Sequence, residues 1–379
     1  MQQDNPLIWV EISQSALQKN MQVFRELVGA KVQLAPMAKA NAYGHGLVET
    51  GKIFRKAGAD YLSVNALFEA RKLREAGDKG KIYICGYTAL DDLEEAVELG
   101  CELVIYNRET LEKLAEIGRP AKVHLKVETG TNRQGVGATE APEFAEAVKK
   151  ISNIKLVGVA MHFANIEDTT DHSYARKQLA EFNLICRKLE AAGHKGLLRH
   201  AANSAATLLW NETHFEIARI GIAAYGMWPS EETFVSLATE RKEKIVLTPA
   251  LTWKTRIAQL KTIPKGSKVG YGCAFEAQRE TRLAILPVGY YDGYVRAYSE
   301  KASVLVGGVR APVIGRICMN VTMVDVTDIP ELKLEDEVIL LGKSGEEEIT
   351  AEEMGEWGET INYEVTTRIR ENILRKVVE

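Results

Sequence analysis

No stretch of this 379-residue chain approaches the roughly 18 apolar residues of a membrane-spanning helix. We therefore expect no membrane partner. An excess of one charge is missing as well. The formal net charge is −4 and the pI is near 6.1, which offers no basic field for a nucleic acid. The five cysteines, Cys85, Cys101, Cys186, Cys273 and Cys318, are scattered and odd in number. No two have metal-ligand spacing, so reduced thiols, no bound metal and a cytoplasmic location are expected. The start, Met1-Gln2-Gln3-Asp4, lacks the basic and apolar regions of a secretory leader. No G-x-G-x-x-G follows an apolar run, which weighs against a dinucleotide site. Gly342-Lys343-Ser344 resembles the end of a phosphate loop, but Glu337 stands where its first glycine belongs, so a turn is expected.

What is present is a repeating beat. The composition, 46% hydrophobic and 26% charged, suits a globular chain of about two domains. Through about residue 240, short apolar runs alternate with amphipathic stretches that close on glycine. Leu17, Met21, Phe24 and Val28 share one helical face, and Gly29 ends it. The apolar runs are Val32–Ala38, Tyr61–Val64, Ile82–Cys85, Leu103–Tyr106, Val123–Val127, Leu156–Met161, Leu197–Ala201 and Ile217–Ala224. Eight strands separated by helices predict an α/β fold, a parallel (β/α)8 TIM-type barrel over residues 1–240. An open doubly wound sheet is the competitor. A polar linker, Glu240–Lys244, follows. Beyond it the runs Thr252–Ile263, Leu283–Val288, Ser303–Val306, Ala311–Ile314, Val321–Val326 and Glu337–Leu341 predict a mostly antiparallel β domain over 241–379.

A barrel demands that its chemistry lie just past the C-terminal strand ends. Lys39 and Tyr43 follow the first run, at the end of Val32-Gln33-Leu34-Ala35-Pro36-Met37-Ala38. A lysine there is partly desolvated, which lowers its pKa and suits it to imine formation. Arg133 follows the fifth run, His162 and Asn165 end the sixth, Asn203 and Ser204 follow the seventh, and Arg219 and Gly221 lie in the eighth. Singly each has an ordinary alternative: a solvated lysine, a core histidine, an ion-paired arginine, or Ser204 as a helix N-cap. Together they form one rim. The Ser204 turn and the Gly221-Ile222 backbone add N–H donors for a phosphate.

These segments resemble those of the alanine racemases. The resemblance rests on the Lys39 segment, Glu128-Thr129-Gly130-Thr131-Asn132-Arg133, Met161-His162-Phe163-Ala164 and His200-Ala201-Ala202-Asn203-Ser204. It continues through Arg219-Ile220-Gly221-Ile222, Val269-Gly270-Tyr271-Gly272, Ile317-Cys318-Met319 and Thr360-Ile361-Asn362-Tyr363-Glu364. It spans Trp9 to about Ile369, and it implies a pyridoxal 5′-phosphate enzyme that interconverts L- and D-alanine and so supplies a peptidoglycan precursor. Lys39 would hold the cofactor covalently. Tyr43, Ser204, the Gly221 and Ile222 amides and Tyr363 would bind its phosphate, with Asn203 and His162 also in the cofactor site. Arg219 would face the pyridine nitrogen with His200 behind it. Arg133 would hold the substrate carboxylate, and Met319 and Tyr290 would line the substrate site. Tyr271 would be the second catalytic base, supported by His162 and supplied by the partner subunit of a homodimer. The lysine matching Lys126 is carbamylated in some members.

Some positions depart from the family pattern. Asn320 stands where aspartate is usual, Tyr291 where alanine is common, and the tail after Tyr363 does not align. A serine, lysine or broader-specificity racemase is therefore a second reading. A decarboxylase on a similar scaffold would carry an acidic partner at the pyridine nitrogen, which Arg219 opposes. A non-catalytic cofactor carrier would lack the second domain and Tyr271.

Overall fold

The first strand, β1 (Ile8–Ser13), escaped the sequence pattern, and the helix Gln14–Val28 follows it directly. A computed structural model describes residues 5–240 and 245–379, which divide into two compact units. One comprises Ala16–Ala42 and Leu47–Thr248. In it the Gln14–Val28 helix buries Leu17, Met21 and Phe24 and ends at Gly29, whose φ of 77° suits a residue without Cβ.

The barrel strands are β2 (Gln33–Leu34), β3 (Tyr61–Val64), β4 (Lys81–Ile84), β5 (Glu102–Ile105), β6 (Ala121–Lys126), β7 (Ile154–Ala160), β8 (Leu198–His200) and β9 (Ile217–Ala218). From β3 to β8 each pairs in parallel with the next, and β2 pairs in parallel with β9. The two groups join at both seams. Asp60 N–H donates to Leu34 O and Met37 bridges Ser63 on one side, while Glu216 N–H donates to Arg199 O on the other. The result is the closed (β/α)8 barrel that the spacing predicts. Every residue of β3 and β5 is buried, as expected of strands covered on both faces, which is why they read as mostly apolar runs, with Ser63 and Glu102 as the buried polar members.

The eighth run is a correction. Only Ile217–Ala218 is strand, and Ile222–Tyr225 is a 3-10 helix. Gly221 breaks the extension with φ −89° and ψ −120°. The Tyr225 hydroxyl then donates to Met37 O at 2.6 Å, anchoring the turn just ahead of Lys39.

The other unit takes the described residues up to Ser15, Tyr43–Gly46 and Pro249–Glu379. Its further strands are β10 (Leu251–Arg256), β11 (Gln259–Ile263), β12 (Lys268–Val269), β13 (Phe275–Glu276), β14 (Thr281–Leu286) and β15 (Ser303–Val306). Next come β16 (Val309–Pro312), β17 (Thr322–Asp325), β18 (Glu337–Ser344), β19 (Glu347–Ile349) and β20 (Leu374–Val378). The main sheet runs β16-β15-β18-β10-β1-β20, beside a β11-β14-β17 sheet and a β12-β13 hairpin. All pairs are antiparallel except β1 with β20.

Two further expectations are corrected here. Thr252–Ile263 is two strands, because Ile257 N–H bonds Asp336 O while Ala258 N–H bonds Ile285 O, so the chain changes sheets between neighbours. Gly342–Ser344 is not a turn but the end of β18, paired with β19. The expected linker lies, beyond Glu240, outside the described residues. Among the described residues no helix is long and apolar enough to cross a membrane.

Candidate active site

Lys39 is half-buried and opens a left-handed turn. Ala40, Asn41 and Ala42 have φ of 53° and Tyr43 of 52°. Left-handed backbone costs about 1–2 kcal/mol for each residue bearing a Cβ, so local preference cannot hold it. Neighbours do. Ala40 N–H donates to Glu69 Oε1 at 2.6 Å, Ala42 N–H to Ala38 O at 2.9 Å, and Leu47 N–H to Asn41 Oδ1 at 2.9 Å. Buried Glu69 also accepts from the Asn65 and Ala66 N–H groups at the start of the Leu67–Glu75 helix.

Arg219 follows β9 and is buried. Its Nη1 donates to His200 Nδ1 at 2.8 Å and to His200 O at 2.7 Å, and its Nη2 donates to Met161 O at 2.8 Å. Burial draws its pKa down from the usual arginine value, but no carboxylate pairs with it among these contacts. His200 is held well below the ordinary histidine range by burial, then by Arg219 and His124.

Lys126 ends β6. Burial, reinforced by Arg219 and Arg133, pushes its ammonium pKa down to about 7. His162, past the end of β7, is held well below its usual range by burial and then by Lys126, Arg219, Arg133 and Lys39. Lys126, Arg219, Arg133 and Lys39 therefore all act on one imidazole at the barrel mouth. Their carboxylate neighbours are engaged elsewhere. Glu69 serves the Lys39 turn, and Glu128 collects backbone N–H groups from Gly130 and Arg133 at 2.5 and 3.3 Å. That Glu128 cradle shapes the exposed Arg133 loop, which Thr131 ties to His162 O at 2.6 Å. Such a mouth favours a polyanionic ligand.

The Ser204 N-cap alternative is corrected. Asn203 is the cap, accepting from Ala206 N–H at 2.9 Å, and its amide donates to Glu167 at 3.2 Å. Ser204 Oγ is thereby free to accept from Gly221 N–H at 2.9 Å and Ala223 N–H at 3.3 Å. Two of the predicted phosphate donors, Ser204 and the Gly221 amide, thus meet at one hydroxyl, joined by the Ala223 amide.

In the other unit, Tyr43 and Tyr363, both expected at the phosphate, stand with ring centroids 6.1 Å apart. Tyr271 lies between β12 and β13, 71% exposed, with Gly270 and Gly272 at φ near 74° and 73° on either side. Met319 and Tyr290 are also exposed, and backbone bonds Tyr290 N–H to Cys318 O and Tyr291 N–H to Met319 O join their two segments. Sequence reasoning missed Glu69, Glu102, His124 and Arg375. Only Glu69 left a signal, as the acidic residue three after Ala66 in a capping box.

Residues 12–229 match the family model for the alanine racemase N-terminal domain, and residues 250–377 that for the C-terminal domain. The chain is 41% identical over 374 residues to an alanine racemase of Desulforamulus reducens, covering 97% of this chain and 98% of that one. It is 38% identical over 373 residues to one of Methanococcus maripaludis, covering 97% and 98%. Alanine racemase from Bacillus anthracis with bound L-Ala-P superposes with a TM-score of 0.91 at 32% identity, covering 98% of this chain and 95% of that one. Alanine racemase from Clostridium difficile 630 superposes at 0.92 and 32%, covering 100% and 97%. With both halves matched and relatives aligned almost end to end, the chain belongs to the alanine racemase family.

Proposed function

We propose that the protein interconverts L- and D-alanine with pyridoxal 5′-phosphate as cofactor. The observation that carries this is the barrel mouth, where burial and then Lys126, Arg219, Arg133 and Lys39 hold the His162 pKa well below the usual range. The donor set fits the cofactor. Lys39 would hold its aldehyde carbon, Arg219 would donate to its pyridine nitrogen, and Ser204, Gly221, Ile222, Tyr43 and Tyr363 would take its phosphate, with Asn203 and His162 beside it. Relatives named alanine racemase, one with bound L-Ala-P, support the same activity.

Bound there, the cofactor withdraws electrons and acidifies the substrate Cα–H. The protein must then serve two faces. Displaced from the aldehyde carbon by the substrate amine, Lys39 would take the proton on one face and Tyr271 would deliver one on the other, and the reverse reaction would exchange their roles. A tyrosine with an ordinary pKa of about 10 needs help to act as a base. Arg133 and His162 would provide it, while Arg133 also binds the substrate carboxylate. Met319 and Tyr290 would line the same pocket. Arg219 stays a donor that does not give up its proton, which limits electron withdrawal and so limits side reaction.

The roles divide by unit: the barrel unit would provide Lys39, Arg133, His162 and Arg219, and the other unit would provide Tyr271. Tyr271, largely exposed on its own unit, would act in the site of a second copy, making a homodimer with shared sites. We place the enzyme in the cytoplasm, supplying D-alanine for peptidoglycan. A carbamylated Lys126 would replace a costly cation beside Arg133 with a compensating anion.

A broader substrate range is a second reading, favoured by the substrate loop. The Asn320 amide approaches Asp292 Oδ2 at 3.4 Å, and Arg370 lies 3.8 Å from the Tyr291 ring centroid. Incubating cofactor-loaded protein with a panel of L-amino acids and resolving products by chiral chromatography tests both. Racemised alanine is expected; no racemised product would overturn the assignment, and comparable serine turnover would favour the second reading.

A further inference from the structure

The interior of a barrel of this type is ordinarily filled with branched apolar side chains. Here a polar chain runs through it. His200 Nε2 lies 3.0 Å from His124 Nδ1, and His124 Nε2 lies 2.9 Å from Glu102 Oε2. The Tyr61 hydroxyl donates to the same Glu102 oxygen at 2.8 Å, and the Lys122 ammonium stands 3.6 Å from the other. Both imidazoles and Glu102 are buried. With the 2.8 Å bond from Arg219 to His200, the chain crosses from the C-terminal mouth of the barrel to the opening residue of β5.

The direction of every bond in it is forced. An arginine has donors only, so His200 Nδ1 must be bare. A neutral His200 then carries its proton on Nε2 and donates to His124 Nδ1, which must be bare in turn. His124 therefore carries its proton on Nε2 and donates to Glu102. The sequence closes only on an acceptor, which Glu102 supplies. Burial raises the Glu102 pKa, but the bonds from His124 and Tyr61, with Lys122 nearby, outweigh it and hold it below the usual range. Burial also holds both histidines below theirs, in keeping with neutral rings.

The backbone is shaped to admit this chain. A Cβ at Gly158 would lie 2.3 Å from His124 Nδ1 and 2.7 Å from Leu198 O. The β6–β7 register shifts between Val123 and His124, at the residue that enters the chain. The Tyr83 ring packs against both imidazoles, with centroids 4.8 and 5.4 Å away.

We propose that Glu102 is a positioning residue for the reaction, fixing one tautomer in His124 and His200 so that a bare nitrogen always faces Arg219. This rests on the reading that Arg219 faces the cofactor ring. Without the acceptor at Glu102, His200 could place a proton on Nδ1, where it would oppose the guanidinium N–H and push it out of register.

The test reads the imidazole nitrogens of cofactor-free protein by 15N NMR with labelled histidine. The expected result is a protonated Nε2 and an unprotonated Nδ1 in both rings. A protonated Nδ1 on His200, or a charged ring, overturns the proposal. In Glu102→Leu, which leaves no acceptor at that position, mixed tautomers are expected, with kcat/KM for alanine lowered about tenfold in the loaded enzyme. Tyr61→Phe keeps the carboxylate and is expected to keep the wild-type nitrogen pattern. Unchanged nitrogen signals in Glu102→Leu also overturn the proposal. If that variant fails to fold, the wild-type spectrum still decides. Failure of wild-type protein to bind pyridoxal phosphate would overturn the proposed function and leave the tautomer result standing.

Discussion

Arg375 grips the carbonyl of Gly44 with both Nε and Nη2, each at 3.1 Å. The same guanidinium reaches the carbonyls of Ile369, Arg370, Glu371 and Ile373. Gly44 lies five residues past Lys39, so a C-terminal side chain secures the end of the strained turn that opens on Lys39. Arg375→Ala should destabilise the protein by about 2–3 kcal/mol, the scale of charged hydrogen bonds left unmade. It should also weaken cofactor binding by about tenfold, since more than 1 kcal/mol of turn strain would be uncompensated. Urea denaturation and an absorbance titration with pyridoxal phosphate measure the two effects.

Gly44 itself should tolerate nothing larger. Its φ is 85°, and a Cβ would meet Thr366 O at 2.0 Å. Gly44→Ala should therefore destabilise by several kcal/mol, on the order of 3 or more from strain and overlap. Soluble yield and the thermal midpoint compared with Gly29→Ala, where a Cβ meets nothing within 4 Å, separate crowding from φ alone.

Lys126 predicts a pH effect of definite sign. Its folded pKa is pushed down to about 7 from 10.5 by burial, Arg219 and Arg133. Between those values the unfolded chain holds a proton that the folded chain lacks, so stability rises with pH across that window. The penalty is complete below about 7 and is relieved as pH climbs toward 10.5. In bicarbonate-free buffer, wild type should gain stability over Lys126→Met as pH rises. Added bicarbonate should flatten that difference if the amine takes up carbon dioxide. A flat difference without bicarbonate would refute the shifted ammonium.

Tyr271→Phe should bind cofactor normally yet lose racemisation by about 10²–10⁴-fold, the range of a removed acid–base group. Lys39 remains, so one enantiomer should still exchange its Cα proton with deuterated solvent. Equal loss of exchange from both enantiomers would argue against separate bases for the two faces.

Tyr291→Ala should remove the ring under Arg370 and loosen the loop zipped to Met319. We expect the serine-to-alanine ratio of kcat/KM to rise, by less than about 200-fold, the limit for apolar pocket changes. Competition assays with both substrates measure it directly.

The barrel was readable because parallel strands buried on both faces leave continuous apolar runs, as in Tyr61–Val64. β1 was not, because both its partners, β10 and β20, lie at the far end of the chain. The change of sheet at Ile257 and Ala258 was hidden too, since the apolar pattern runs through it without punctuation. Lys39, Arg133, His162 and Arg219 were visible as polar residues just past strand ends. Glu102 and His124 were invisible because they sit inside strands, where only the fold brings them to His200. Arg375 lay in the tail that could not be aligned.

The placement of β1 between β10 and β20 also orders events during synthesis. A ribosome emits this strand first, β10 only after the barrel strands, and β20 last. Until β10 emerges both edges of β1 are unpaired, one stays so until β20, and such an edge invites pairing with other chains. The nascent enzyme should therefore depend on chaperone cover for most of its elongation.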